Sequence, residues 1–436
     1  MSRAEVFARS DDAVNAAADR IIGIGRRLWE NPETGFREHA AYDLLTGELR
    51  ALGFDVRGPF ALTGFRADLD TGRPGPVVAV MGEYDALIIP EHPEAVRGCV
   101  HSCGHHTSAA GLIGTAIGLR DAAASGELCG RIAFIGTPAE EGIELEYRQE
   151  LIRAGRIASV SGKAQLIREG VLDDVDIAFM HHLSTGYGYF DHNGSVCKKI
   201  VFKGKSCHAA NPHFGVNALN GMNLALHALG LLRESYSASD RIRFHGIVTD
   251  GGTSVNVIPD RAVLDYFLRA DTVESLLDLN RRFDNAVRHA GMAAECEVEI
   301  RTVPYTMPLY DDPVLGAELE KVVQELLGET VKYDANTLFR ATCTDMGDVA
   351  TIIPAVHGYV PGAAGTFHGT DFRVENWHDA CVMPALINAR LAIDLLIDDA
   401  AVGKRIAARK AQLMTKAEYL KVLDSLTDFT STQDVR

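Results

Sequence analysis

The densest run of reactive side chains is His101-Ser102-Cys103-Gly104-His105-His106, with Cys99 just ahead of it. In an extended segment, residues two apart point to the same side, so Cys103 and His105 could grip one metal ion together. A thiolate beside an imidazole suits zinc, and imidazole also suits manganese, cobalt or nickel. The same run could instead form a structural zinc knuckle with Cys99, or hold no metal. A second element, Thr137-Pro138-Ala139-Glu140-Glu141-Gly142, directly follows an apolar strand-like run. Successive side chains in an extended loop diverge, so one carboxylate could hold metal while the other faces an activated water. That second carboxylate can take the water's proton and deliver it to a leaving nitrogen. A solvated acidic turn would look the same. His181-His182 closes another strand, and His368 lies in Gly365-Thr366-Phe367-His368-Gly369. Either histidine alone would read as a core or surface residue; their coincidence with the first two elements points to a metal site. Asp85, in Gly82-Glu83-Tyr84-Asp85-Ala86-Leu87, sits at a further strand end, where it could orient a ligand histidine or cap a turn.

Other chemistries find little support. There is no His-Glu-x-x-His helix, no Gly-x-Ser-x-Gly elbow and no phosphate-binding Gly-x-x-x-x-Gly-Lys-Ser/Thr loop. Gly23-Ile24-Gly25 falls in a helical stretch and lacks the third glycine of a dinucleotide site. A Cys103 nucleophile working with a nearby histidine would leave Glu140, Glu141 and His368 without a role.

Residues so far apart in sequence need rigid elements to bring them together. Ser10 can cap a helix carrying Val14, Ala17, Ile21, Ile24 and Leu28, and a second helix spans 38–52 with Gly53 at its end. Strands at 77–81, 131–136 and 176–180 then alternate with a small-residue helix at 107–123. This is an α/β pattern with a largely parallel sheet flanked by helices. Between about 194 and 303 the order becomes β-α-β-β-α-β: strands at 196–203, 241–249, 262–270 and 295–303, helices at 217–236 and 273–290. That split βαβ plan predicts an inserted α+β domain with both helices on one face of its sheet. The boundaries are 1–193 and 309–436 for the discontinuous main domain and 194–308 for the insert. After the insert come a helix at 313–327, a glycine-rich stretch, a long helix at 374–398 and an amphipathic tail, 404–436, expected as a terminal helix.

The 436 residues include 43 Lys+Arg against 59 Asp+Glu, a net charge of −16. With a pI near 5.4, that balance argues against nucleic acid or an anionic membrane surface as partner. The longest uncharged stretch, 349–370, is broken by prolines and glycines, so no membrane span is expected. Residues 1–12 are polar and do not read as a secretory signal. Eight dispersed cysteines do not form a disulfide framework, and the expected location is the reducing cytoplasm.

Taken together, several stretches resemble a family of metal-dependent peptidases and amidohydrolases. That family includes aminoacylases, carboxypeptidase G, plant auxin-conjugate hydrolases and p-aminobenzoyl-glutamate hydrolase, and the sequence looks most like the last two. The stretches are Asn31-Pro-Glu-Thr-Gly-Phe36, Gly82-Glu-Tyr-Asp-Ala-Leu87, His101-Ser-Cys-Gly-His105, Pro138-Ala-Glu-Glu-Gly142, Gly204-Lys-Ser-Cys-His-Ala-Ala210 and Ser254-Val-Asn-Val-Ile-Pro-Asp260. The resemblance implies a catalytic α/β domain with an inserted lid and dimerisation domain. It implies Cys103, His105, Glu141, His182 and His368 as ligands of one or two divalent ions (manganese or zinc, with cobalt or nickel as alternatives), and Glu140 as general acid/base. His182 is preferred to His181 because it directly precedes Leu183-Ser184. His208 would stabilise the oxyanion across the interface of a homodimer. Asn256 would contact a small-molecule substrate, and Arg269 would hold a substrate carboxylate.

Two departures stand out. His106 replaces the usual Asp or Asn after Cys-Gly-His, and a charged segment from Ile143 to about Glu169 replaces further glycines after Glu141-Gly142. The expected activity is hydrolysis of a C–N bond, the amide of an N-acyl or N-aroyl amino acid or of a dipeptide. The alternative keeps the site and expels ammonia from an electron-poor aromatic amine, as in 5-nitroanthranilate deamination. A catalytically dead binding protein would have lost a ligand or the base, and none is missing.

Overall fold

A computed structural model describes residues 1–328, 334–335 and 342–432. In chain order its main strands are β1 (Val56–Phe60), β2 (Gly64–Asp70), β3 (Val77–Glu83), β4 (Arg131–Thr137), β5 (Ile177–Leu183), β6 (Gly188–Tyr189), β7 (Gly194–Lys203), β8 (Arg243–Asp250), β9 (Arg261–Ala270), β10 (Glu297–Thr306), β11 (Asp334–Ala335), β12 (Ala355–Val360) and β13 (Asp428–Ser431). The helices that matter here are α1 (Arg3–Ala16), α2 (Ala18–Trp29), α3 (His39–Ala51), α4 (His105–Ala123), α5 (Leu145–Arg153), α6 (Gly162–Arg168), α7 (Ala218–Leu232), α8 (Val273–Ala293), α9 (Pro313–Leu327) and α10 (Met383–Leu396). The chain divides into two units. One comprises Met1–Asp191, Tyr310–Phe339 and Asp348–Lys416; the other comprises His192–Leu309, Arg340–Gly347 and Ala417–Arg436.

The first unit is built on a mixed sheet of order β1-β2-β4-β3-β5-β12-β6-β11. Its centre, β4-β3-β5-β12, is parallel, whereas β1, β2 and β4 pair antiparallel and so do β12 and β6. The central strands are continuous apolar runs with both faces buried, as helices on each side of a parallel sheet require. β3 extends two residues past the predicted strand and β5 three, because neighbouring strands keep supplying ladder partners. Helices α1, α2 and α10 pack on α4, whose small side chains are buried around nearly its whole circumference. The first helix begins at Arg3 rather than at Ser10: Ser2 and Glu5 form a capping box there, and Ser10 is a buried mid-helix residue.

The second unit carries the split βαβ order expected of the insert. Its antiparallel sheet runs β8-β9-β7-β10-β13. α7 and α8 share one face of it, since Gly221 of α7 and Gly291 of α8 both approach the ring of Phe202 on β7. The tail departs from expectation. Residues Lys416–Leu426 are helical, but Asp428–Ser431 then pairs as β13 with β10, Thr302 opposite Asp428 and Glu299 opposite Ser431. The tail therefore completes the small sheet's edge instead of joining the main domain as assigned; its last four residues lie outside the described ones. The long helix expected at 374–398 is also shorter. Arg373–Val374 is a strand, and regular α-helix starts only at Met383, after a wider turn at His378–Val382. Among the described residues no single helix is long and apolar enough to cross a membrane.

Candidate metal centre

Parallel strands in register deliver their carboxyl ends to one edge of the large sheet, where doubly wound folds hold ligands. Glu83 at the end of β3 lies opposite Thr137 at the end of β4, and His182 of β5 lies opposite Tyr359 of β12. Asp85, Glu140, Glu141 and His182 are thereby brought to one edge. His368 arrives on the later loop, tied to the Cys103 segment by its backbone N–H, which donates to Ser102 O at 3.0 Å.

Cys103 and His105 do converge, by a route other than the extended one expected. His105 is the first residue of α4, and Gly104 before it is left-handed at φ +95°. Glycine is required there twice over: for that φ, and because a Cβ would come 2.7 Å from Leu183 Cβ. Nor do Glu140 and Glu141 diverge. Ala139 takes the left-handed φ of +55°, which turns the loop so that ligand atoms of His105, Glu140 and Glu141 all lie within 4.8 Å of one another. Cys103, His105 and His182 form a second such trio, and Cys103, Glu141 and His368 a third. All five expected ligands and the expected base thus meet, with Cys103 common to two trios. Cys99 belongs to none of these groups.

The surroundings aim these atoms. His105 Nδ1 donates to Asp85 Oδ1 at 2.8 Å, and the Glu141 backbone N–H donates to Asp85 Oδ2 at 2.8 Å. One buried carboxylate therefore orients one donor through its ring and another through its peptide. His182 Nδ1 donates to Leu183 O at 2.7 Å, and its Nε2 faces Cys103 Sγ at 3.5 Å. The neighbouring His181 points to the other side of the strand, where Nδ1 meets Asn388 Oδ1 at 2.7 Å. Strand alternation thus separates the two histidines.

A divalent ion fits this donor set. His105 Nε2 and Glu141 Oε1 are buried without a hydrogen-bond partner, and such orphaned atoms are costly unless something else satisfies them. Thiolate, imidazole and carboxylate are the donors that zinc takes. Ionisation follows burial and neighbours. Burial pushes the His105 imidazolium down, but Cys103, Asp85 and Glu83 outweigh it, and the pKa stands well above its usual value. Burial, then Glu141, pushes the Cys103 thiol up. Burial also raises Glu141 against the pull of His368 and His105. Protons must leave His105 and Cys103 for an ion to enter, which makes occupancy pH-dependent. His182 is lowered to about 4 by burial and then by His105, which leaves its ring neutral and able to ligate.

His106 joins none of the metal-capable groups among the described residues. Its ring is buried against Trp29 at 5.1 Å and His101 at 5.0 Å, and burial first, then His101, keeps it neutral. The position after Cys-Gly-His suggested a third imidazole near the metal; the structure packs this one among aromatic rings.

In the second unit, His208 and Asn256 are exposed and adjacent: Ala209 N–H donates to Asn256 O at 2.9 Å, and His208 bridges to Val257. Arg269 lies eight residues up β9 from Arg261, opposite Ser195 and Arg243, and its side chain reaches the Phe267 ring. At about 3.3 Å per residue this is roughly 26 Å along the strand from the end nearest His208 and Asn256, so the three do not form one cluster within the unit.

Four residues around the centre were not singled out from sequence. Glu83 pairs with the fully buried ammonium of Lys163 and also faces His105 Nε2 at 3.5 Å. Glu38 accepts from Thr63 Oγ1 at 2.6 Å and from the Ala139 N–H at 2.8 Å. Arg148, from the unexpected charged segment, is wholly buried beneath the Glu140 loop. Glu38, Lys163 and Arg148 sit in stretches of mixed polar composition that read as surface, whereas Glu83 closes an apolar strand.

Comparison with known proteins identifies the family. Residues 190–295 match the peptidase dimerisation domain of the M20 class. The Xaa-Arg dipeptidase of Mus musculus is 30% identical over 366 residues, spanning 80% of this chain and 78% of that protein. The chain belongs to the M20 peptidase family. It is accordingly a hydrolase acting on C–N bonds. One of the subunits of p-aminobenzoyl-glutamate hydrolase from Escherichia coli is 29% identical over 313 residues, 68% of this M20 chain and 60% of that one. In fold, it resembles a dinuclear metal binding peptidase of the M20 family from Bacillus subtilis, with a TM-score of 0.66 and 22% identity over 88% of this chain and 99% of the other.

Proposed function

We propose that this M20 chain hydrolyses the amide of an N-acyl or N-aroyl amino acid or a dipeptide, with Glu140 as general acid/base beside metal held by Cys103, His105, Glu141, His182 and His368. The observation that carries the reading is the convergence of those five side chains and Glu140, with buried atoms of His105 and Glu141 left for an ion to satisfy. Two donor trios sharing Cys103 leave room for two ions. Zinc suits the thiolate, and manganese suits the carboxylate and imidazoles. A bound divalent ion supplies Lewis acidity, making a water nucleophilic at neutral pH and polarising the scissile carbonyl. Glu140, its carboxylate beside His105 and Glu141, takes the proton from the attacking water and returns it to the leaving nitrogen. Asp85 holds His105 and the Glu141 peptide in place while this happens.

We propose that Asn256 contacts the substrate and that Arg269 holds its carboxylate; because they stand roughly 26 Å apart along the strand of one protomer, the Asn256 and Arg269 that meet one substrate would come from different protomers. We further propose that the matched dimerisation domain makes a homodimer in which His208 acts on the partner subunit's site, stabilising developing negative charge. Eight unbridged cysteines fit a reducing compartment, and we place the enzyme in the cytoplasm.

The test is a product assay over dipeptides, N-acetyl and N-benzoyl amino acids, and anthranilates with and without a nitro group. Free amino acid without ammonia, abolished in Glu140→Gln while metal content stays as in the wild type, supports the proposal. Ammonia with a hydroxylated aromatic product would replace the amide with an aryl amine. Undiminished turnover by Glu140→Gln would refute the base assignment.

A further inference from the structure

We infer that the segment inserted after Glu141 supplies a positioning residue, Arg148, whose guanidinium fixes the backbone of the loop bearing Glu140 and Glu141. This rests on the roles given to those two glutamates above. Arg148 lies on α5 and is fully buried, although the helix around it is largely polar. Its Nη2 donates to Glu141 O, and its Nη1 donates to Val160 O at 2.6 Å and to Ala139 O at 3.4 Å. Among the described residues no carboxylate forms an ion pair with it, and its Nε has no partner. A buried charge of this kind is expensive. A lysine offers its three donors from a single nitrogen; the planar guanidinium fork spreads its donors to reach carbonyls set apart on the chain.

The acceptors are the carbonyls that flank Glu140 on either side. The N–H groups of the same two residues are held as well: Ala139 by Glu38 and Glu141 by Asp85. Both peptide edges of the loop are therefore gripped by buried polar side chains. The grip has something to hold, since Ala139 is a non-glycine residue in the left-handed region, a conformation that persists only where its surroundings impose it. The segment's far end adds to the clamp, with Gly162 N–H donating to Ala139 O at 3.1 Å. Gly35, in the Asn31–Phe36 stretch, keeps the space open: a Cβ there would lie 2.5 Å from Arg148 Nη2 and 2.9 Å from Ala139 Cα. An arginine that merely anchored its own helix would need Val160 O alone; two of its three acceptors belong to the loop.

The test loads full-length protein with Co²⁺, because visible absorption reports both thiolate ligation and coordination geometry. Affinity is measured against a competing chelator, alongside thermal melting, for Arg148→Met, Arg148→Lys, Gly35→Ala and Glu141→Ala. Arg148→Met is expected to weaken Co²⁺ binding by about 10–100-fold, the usual effect of losing an outer-shell support, and to alter the d–d bands while the thiolate charge-transfer band remains. Arg148→Lys should recover part of the affinity. Wild-type affinity and spectrum in a folded Arg148→Met protein would overturn the inference. If that variant does not fold, wild-type behaviour in both Arg148→Lys and Gly35→Ala would overturn it equally. Weak binding by Glu141→Ala together with normal binding by the Arg148 variants would remove the clamp alone. Normal binding by Glu141→Ala would remove the ligand assignment, and the clamp with it.

Discussion

Replacing Asp85 by Asn changes one atom and should disable two ligands. Both carboxylate oxygens are committed, Oδ1 to the His105 Nδ1–H and Oδ2 to the Glu141 N–H, each at 2.8 Å. Asparagine offers one acceptor and one donor. With its oxygen toward Glu141, its NH₂ faces His105 Nδ1 and leaves only the residue 85 main-chain O, at 3.2 Å, to accept the ring proton; this favours the tautomer protonated on Nε2, the atom needed for metal. With its oxygen toward His105, two N–H donors meet at the Glu141 peptide. Either arrangement loses a charge-assisted hydrogen bond, a contribution of about 1.5–3 kcal/mol. Through the ligands it supports, metal affinity should fall about 10–100-fold, or roughly 1.4–2.7 kcal/mol. In the metal-free protein the ionisation of Asp85 also bears on stability. Burial pushes this carboxyl up, but the charge and hydrogen bond of His105, the Glu141 N–H and the Arg148 charge outweigh it and hold it at about 2 against an ordinary 3.8. That difference corresponds to about 2 kcal/mol of native-state stability, present above pH 3.8 and lost as pH falls through about 2. The assay is Zn²⁺ or Co²⁺ affinity by chelator competition at pH 7.5, with melting recorded in parallel. An Asp85→Asn protein that binds metal within about twofold of the wild type would refute the two-donor account of this residue.

Lys163→Met strands the Glu83 carboxylate in the interior and should cost about 3–5 kcal/mol in urea unfolding; adding Glu83→Gln should restore most of it, and independent losses from the two changes would contradict the pairing. His182→Ala should abolish tight metal binding while His181→Ala, which loses a hydrogen bond to Asn388 and packing over Gly358, should retain it; equal losses in metal content would disprove the strand-face distinction. Burial, then the Asp85 charge, raises Glu38 to about 8 despite its bonds from Thr63 and the Ala139 N–H. A carboxyl raised on folding favours the native state fully below its unfolded pKa near 4.5, and that advantage is lost as pH rises to about 8. Melting curves of Glu38→Gln and wild type should therefore diverge between pH 5 and 8, the variant gaining; a constant offset would contradict the shift.

Local order was legible because it depends on neighbours in the chain. Continuous apolar runs marked β3, β4 and β5, the helical spacing of Val14, Ala17, Ile21, Ile24 and Leu28 marked the N-terminal helices, and the β-α-β-β-α-β order marked the second sheet. Metal-capable side chains were legible too, as clusters around Cys103, Glu141, His182 and His368, whereas the set of five expected ligands came from the resemblance to the family. Tertiary structure decided how they meet. The left-handed turns at Gly104 and Ala139, not extended chain, bring Cys103 to His105 and Glu140 to Glu141. It also moved the tail from a terminal helix to an edge strand, because Asp428–Ser431 finds open ladder groups on β10. Ser2, with Glu5 completing its capping box, starts the first helix, and Ser10 lies within it. Buried charges were the least legible feature. Lys163, Glu38 and Arg148 look like surface residues to local pattern, Glu83 closes an apolar strand, and their partners lie up to about a hundred residues away. Which residue types could do the chemistry was written along the chain; which charges leave water to hold them was settled by the fold, because desolvation depends on everything that packs around a group and not on its sequence neighbours.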